Sequence, residues 1–111
     1  VQSLVGKVDA IYTPTDNMIA SCMATVALVT NEAKIPVICG ESGMVDKGGL
    51  ATYGINYYEL GKQTATMAVD ILKNGKKPAE MPVQYLSTCD FTYNPDTVKI
   101  LGIELPSDLL K

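Results

Sequence analysis

The constraint that narrows the fold most is the order of patterns at the start of the chain. Val8-Asp9-Ala10-Ile11-Tyr12 is an apolar run, Tyr12-Thr13-Pro14-Thr15-Asp16-Asn17 is a polar turn, and residues 18–33 are apolar and small with helical spacing. Ile35-Pro36-Val37-Ile38-Cys39 then supplies a second apolar run. Strand, helix and strand within about thirty residues is the length of a right-handed parallel crossover. A parallel sheet is expected, and open sheets of that kind bind ligands at the turns leaving the carboxyl ends of their strands. Thr15 or Asp16 would be the helix N-cap, with free N–H groups above the sheet.

The remaining pattern extends the same architecture. Residues 40–49, rich in Gly and polar side chains, read as a loop or short helical turn, and Leu50-Ala51-Thr52-Tyr53-Gly54 reads as a third strand. Asn56 and Glu59 have the spacing of a capping box for a helix reaching Leu72. Asn74-Gly75 ends that helix, Lys73, Lys76 and Lys77 complement its dipole, and Pro78 prevents resumption. Val83-Gln84-Tyr85-Leu86 and Asp90-Phe91-Thr92-Tyr93 alternate as half-buried or edge strands. Asn94-Pro95 starts a short helix over residues 96–101, and Pro106 starts a last turn over residues 107–110. The fold class is α/β, a layered lobe built on a parallel sheet, with too few units for a barrel.

Composition removes several function classes. Across 111 residues, 47% are apolar and 19% charged, which suits one globular α/β unit rather than a disordered chain. The net charge of −3 and the scattered lysines leave no footprint for nucleic acid. No apolar stretch is long enough to cross a membrane as a helix. The first residues read as the tail of a helix without a signal-type segment, so a fragment or processed chain is expected, with any export signal upstream. Three cysteines, Cys22, Cys39 and Cys89, without a CxxC pair and without any His, exclude zinc-finger and haem motifs. They read as small buried hydrophobes, and the redox compartment stays open.

Catalytic motifs fail on inspection. Gly40-Glu41-Ser42-Gly43-Met44 has Met where a nucleophile elbow needs Gly, and the chain has no His to act as base. Gly61-Lys62-Gln63 lacks the Ser or Thr of a P-loop, and no GxGxxG follows a strand. No enzyme activity and no cofactor or metal is expected. A parallel sheet would instead bring three strand ends together at Thr13 to Asn17, Gly40 to Met44 and Tyr53 to Asn56. This rim carries hydroxyls at Thr15 and Ser42, carboxylates at Asp16 and Glu41, the Asn17 amide and Tyr53. A small zwitterion suits it: its carboxylate could sit on helix amides and hydroxyls, its ammonium on Asp16 or Glu41. Each residue also has a structural reading. Asp16, Asn17 and Asn56 can be simple caps, Glu41 and Ser42 a solvated loop, and Tyr53, Tyr57 and Tyr58 packing residues.

The segments Tyr12-Thr13-Pro14-Thr15-Asp16-Asn17, Asn31-Glu32-Ala33-Lys34-Ile35-Pro36-Val37, Gly40-Glu41-Ser42-Gly43-Met44-Val45 and residues 49–61 together resemble a known family. It is the ABC transporter substrate-binding proteins of the bacterial type whose studied members take up aromatic amino acids. The resemblance runs through nearly the whole chain, including Asn94-Pro95 and the tail to Leu110, and corresponds to the C-terminal part of a protein about three times as long. It implies a type I periplasmic-binding-protein-like fold, with two α/β lobes closing on ligand in a cleft. It places Thr15, Asp16, Asn17, Glu41, Ser42, Gly43, Tyr53 and Gly54 at that cleft. Residues 1–82 would be the ligand-binding lobe, and residues 83–111 crossing strands and C-terminal helices packed partly on the other lobe. Apolar surface on Val98, Leu101, Ile103 and Leu109 would then be open in this chain alone, favouring self-association.

The expected function is that of the solute-binding component of an ABC importer, delivering a small ligand, an amino acid of aromatic type, to permease subunits. Its place would be the periplasm or the cell surface as a lipoprotein. The alternative is the effector-sensing domain of a transcription regulator, which an upstream DNA-binding segment would favour.

Overall fold

The computed structural model describes residues 1–110, and their contacts form two units: Val1–Gly54 together with the segment from Asp90 onward, and Ile55–Cys89. In the first unit, β1 (Ile11–Thr13), β2 (Val37–Cys39), β3 (Ala51–Gly54) and β4 (Asp90–Tyr93) form one sheet in the order β1-β2-β3-β4. The first three strands are parallel, with Ile11 beside Val37 and Thr13 beside Cys39, and β4 runs antiparallel to β3. The helix α1 (Asn17–Glu32) connects β1 to β2, and the five-residue α2 (Ser42–Asp46) connects β2 to β3.

Period-two alternation decides the two faces of this sheet. Thr13, Val37, Cys39 and Thr52 point to one face, where Met23 of α1 and Met44 and Val45 of α2 complete the core. Tyr12, Ile38 and Tyr53 point to the other and are exposed. On that open face a hollow of about 250 Å³ lies among Ile38, Ala51, Tyr53, Phe91, Leu105 and Leu109. Here the structure corrects the expectation about apolar surface: of the four residues expected to be open, only Ile103 is exposed, and the sheet's open apolar residues include Tyr12, Ile38, Tyr53 and Tyr93.

The helix α4 (Pro95–Leu101) is tied to the connection between α2 and β3. Asn94 Nδ2 donates to the Val45 carbonyl at 2.9 Å and Thr97 Oγ1 to the Gly48 carbonyl at 3.1 Å. Asn94 also caps α4, accepting from the Asp96 and Thr97 amides, and Gly102 at φ +69° closes it in the left-handed region. Lys34, left-handed at φ +56° just past α1, donates from Nζ to the Ile100 carbonyl and so links the ends of α1 and α4.

In the second unit, α3 (Tyr57–Leu72) starts at Asn56, whose side chain accepts from the Tyr58 and Glu59 amides. Glu59 meets Lys62 Nζ at 2.9 Å, and Lys62 lies over the Tyr58 ring. At the far end, Lys76 pairs with Asp70 at 2.7 Å while Asn74 Nδ2 donates to the same carboxylate. Those two bonds hold the Asp70 carboxyl below its usual titration range. Gln63 Nε2 reaches Gln84 at 2.9 Å, which holds the following segment beside the helix.

Two expectations for local structure change: the first residues form a 3-10 turn at Gln2–Leu4, and residues 83–86 form no strand, while the short helical turn expected after β2 is the helix α2. Among the described residues no helix is long and apolar enough to cross a membrane.

Candidate functional site

The carboxyl ends of the three parallel strands meet. β1 and β2 end in register, and the Gly40 amide donates to the Thr13 carbonyl at 2.8 Å, so the turns that follow lie side by side. Thr15 Oγ1 donates to the Gly40 carbonyl at 3.1 Å. Contact between the two turns is tight enough that a Cβ at Gly40 would lie 2.6 Å from the Thr15 nitrogen and 3.0 Å from the Pro14 carbonyl carbon. Only glycine permits that approach. The third end joins them, since a Cβ at Gly54 would lie 3.7 Å from Glu41 Cα.

The charged side chains of this rim are oriented by their own helices. Asp16, extended at φ −143°, accepts from the Met18 and Ile19 amides at 2.8 and 3.0 Å through Oδ1. Glu41 accepts from the Gly43 amide at 2.7 Å through Oε2. Each carboxylate therefore uses one oxygen as a cap, and a carboxylate has a second oxygen that can accept. Asn17 opens α1 and is exposed, while Ser42 and Gly43 open α2 and are half-buried.

Below the rim lie Cys39, expected as a small buried hydrophobe, and Thr52, which the sequence does not single out. Cys39 is buried, and its thiol titrates above its usual range because of desolvation, with the Glu41 charge pushing the same way against a lowering hydrogen bond from Thr13. Thr52, 2% exposed, has a hydroxyl with no hydrogen-bond partner among the described residues. Nothing in the sequence marks it, because Thr is ordinary in a strand. Gly40 did carry a signal, a glycine immediately after a strand and before a cap.

Of the eight expected residues, Thr15, Asp16, Asn17, Glu41, Ser42, Gly43 and Gly54 lie on these three turns. Tyr53 does not face the same way. Its neighbours Thr52 and Gly54 occupy the helix-covered face, so alternation sends the Tyr53 ring to the open face, 63% exposed, with its centroid 5.1 Å from that of Phe91. Among the described residues no three His, Cys, Asp or Glu side chains gather where they could hold a metal ion. The arrangement offers hydrogen-bond acceptors and negative charge.

Comparison with known proteins decides the family. Residues 1–111 match the profile of the family described as ABC transporter substrate binding protein. The chain belongs to that family. It is 43% identical over 112 residues to a tyrosine-binding protein of Clostridioides difficile, covering all of this chain and 32% of that one. It is similar to the ligand-free, open structure of a substrate-binding protein with adhesive properties from Clostridium difficile, with TM-score 0.77 and 52% identity over 96% of this chain and 36% of the other. It is also similar to a Streptococcus pneumoniae ABC domain in complex with L-Trp, with TM-score 0.86 and 38% identity over 98% and 37% of the two chains. The chain thus spans about a third of the length of the relatives it matches.

Proposed function

We propose that this chain forms one wall of the ligand cleft of an ABC importer's solute-binding protein, and that the ligand is an amino acid, aromatic in type. The observation that carries the reading is the meeting of three strand-end turns at one rim, linked by the Thr15 to Gly40 hydrogen bond and the approach of Gly54 to Glu41. Ligands of open parallel sheets bind at such ends. Relatives named for tyrosine binding or solved with L-Trp support the ligand class. Thr15, Asp16, Asn17, Glu41, Ser42, Gly43 and Gly54 would line this wall, with the opposing wall on a second lobe that closes over the ligand. Family membership supports delivery to permease subunits on the outer side of a membrane, and favours transport over effector sensing in a regulator.

Calorimetry of the full-length protein against the twenty amino acids tests the reading. Heat with tyrosine or tryptophan is the expected result, and absence of heat with every amino acid would refute it.

A further inference from the structure

We propose that Asn94 and Thr97 are positioning residues for the ligand wall, clasping the C-terminal end of α2 so that the Glu41-Ser42-Gly43 turn at its start stands in one place before ligand arrives. The inference rests on the functional reading above and concerns how that wall is held.

A helix of five residues does not hold itself. It spans under about two turns, and its few internal bonds do not offset the ordering of its backbone, so α2 stays where its surroundings put it. Met44 and Val45 anchor it in the core, but hydrophobic burial is non-directional and leaves its orientation weakly set. Direction comes from hydrogen bonds at its far end. The Val45 carbonyl accepts from Asn94 Nδ2 at 2.9 Å as well as from the Gly48 amide at 3.0 Å, and the Gly48 carbonyl accepts from Thr97 Oγ1 at 3.1 Å. α1 closes on the same loop: Gly48 is at φ +107°, and a Cβ there would lie 2.6 Å from Ala27 Cβ.

Asn94 does more than a cap requires. Its Oδ1 accepts from the Asp96 and Thr97 amides at 3.0 and 3.1 Å, a task Asp performs as well. The bond from Nδ2 to Val45, 49 residues away in the chain, has no part in capping. The Asn94 amide also donates to the Leu50 carbonyl at 2.9 Å, so one residue joins the end of β4, the start of α4, the end of α2 and the segment entering β3. Thr97 is 3% exposed, and its hydroxyl likewise bonds outside α4. Asn94 and Thr97 lie one helical turn apart and take two carbonyls with the same spacing, Val45 and Gly48, which fixes α2 in orientation as well as in place. Side chains that touch ligand bind well only when their supports are locked in this way.

The test uses the full-length protein with L-tyrosine and L-tryptophan as probes. Thr97→Val removes the donor to Gly48 and keeps the shape, while Asn94→Asp keeps the cap and puts an acceptor in place of the donor to Val45. Both are expected to raise Kd by about threefold or more, because the turn then spends only part of its time in the binding geometry. Exchange of the Gly43 amide hydrogen in the ligand-free protein should quicken in both. Two controls separate positioning from stability. Thr97→Ser loses a buried methyl but keeps the donor, and Lys34→Gln breaks the bond from Lys34 to the Ile100 carbonyl, which ties α4 to α1 without touching α2. Both should leave Kd within about twofold of wild type. If Asn94→Asp fails to fold by far-ultraviolet circular dichroism, Thr97→Val decides. A Kd within twofold of wild type in the folded clasp variants would overturn the proposal, as would a loss of affinity in either control equal to that of Thr97→Val. If the wild-type protein binds neither amino acid, the functional reading fails and this inference falls with it; if wild-type binding is normal and the clasp variants keep it, only this inference fails.

Discussion

Replacing Thr52 by Val should stabilise the ligand-free chain. Thr52 lies in β3 opposite Thr92, 2% exposed, and its hydroxyl has no partner among the described residues. Burying an unpaired hydroxyl costs about 1–3 kcal/mol relative to its hydrated state in the unfolded chain. Val has nearly the same shape and keeps the β-branched preference for a strand, so the methyl enters a site already closed around an atom of similar size. A gain of about 1–2 kcal/mol is expected, with the methyl's own transfer from water included in it. With a urea m-value of about 1–2 kcal/mol/M for a chain of this size, the unfolding midpoint should rise by roughly 1 M with m unchanged. Thr52→Ser is the control. It keeps the orphan oxygen and removes a buried methyl, so it should lose about 1 kcal/mol. A Thr52→Val protein destabilised by about 1 kcal/mol or more would refute the reasoning, because the hydroxyl must then have a partner in the free protein.

Two further outcomes follow from the same geometry. Gly40→Ala places a Cβ 2.6 Å from the Thr15 nitrogen, so stability should fall by roughly 1–3 kcal/mol, with amide shift changes in nuclear magnetic resonance concentrated at residues 14–17. The Asp70 carboxyl, bonded to Lys76 and Asn74, should titrate below the usual carboxylate range. A depressed pKa means its support for the end of α3 is present above about pH 4 and is lost as pH falls through the lowered value. Carbon-13 titration should show this, with Lys76→Gln moving the value back up.

The first crossover unit was readable because its signals are local and agree: an apolar run, a capped turn, a helix and a second run at the right distance. The sheet's parallel character follows from that spacing alone. The helix α2 was harder to see, because Gly43, Gly48 and Gly49 dilute the pattern and five residues carry little periodicity. Burial of Met44 and Val45 holds it in place, and burial is a tertiary fact. Tyr53 was placed on the rim by proximity in sequence, whereas period-two alternation along β3 separates it from Gly54. That rule was available without any structure. Thr52 is the opposite case: whether a hydroxyl finds a partner depends on residues far away in the chain, and no local pattern encodes it. Residues 83–86 show the same limit, since alternation describes a strand's faces and says nothing about whether an edge is free.

Reading Asp16 and Glu41 as either caps or ligand contacts sets up a choice that the geometry dissolves. A carboxylate has two oxygens, and in each residue one of them accepts from the chain's own helix amides. That bond restricts the side chain's rotation and holds the second oxygen in a set direction before any ligand arrives. For the proposed ligand contact, capping would lower the entropy lost on binding. It also explains why an alanine substitution at Asp16 is a poor probe, since it removes the helix cap and the charge together and costs about 1 kcal/mol of stability through the cap alone. Asp16→Asn separates the two: the amide oxygen can cap α1, and only the negative charge is gone. If a protein carrying Asp16→Asn kept both its stability and its affinity, the second oxygen would have no ligand, and the rim's charge would belong to the fold alone.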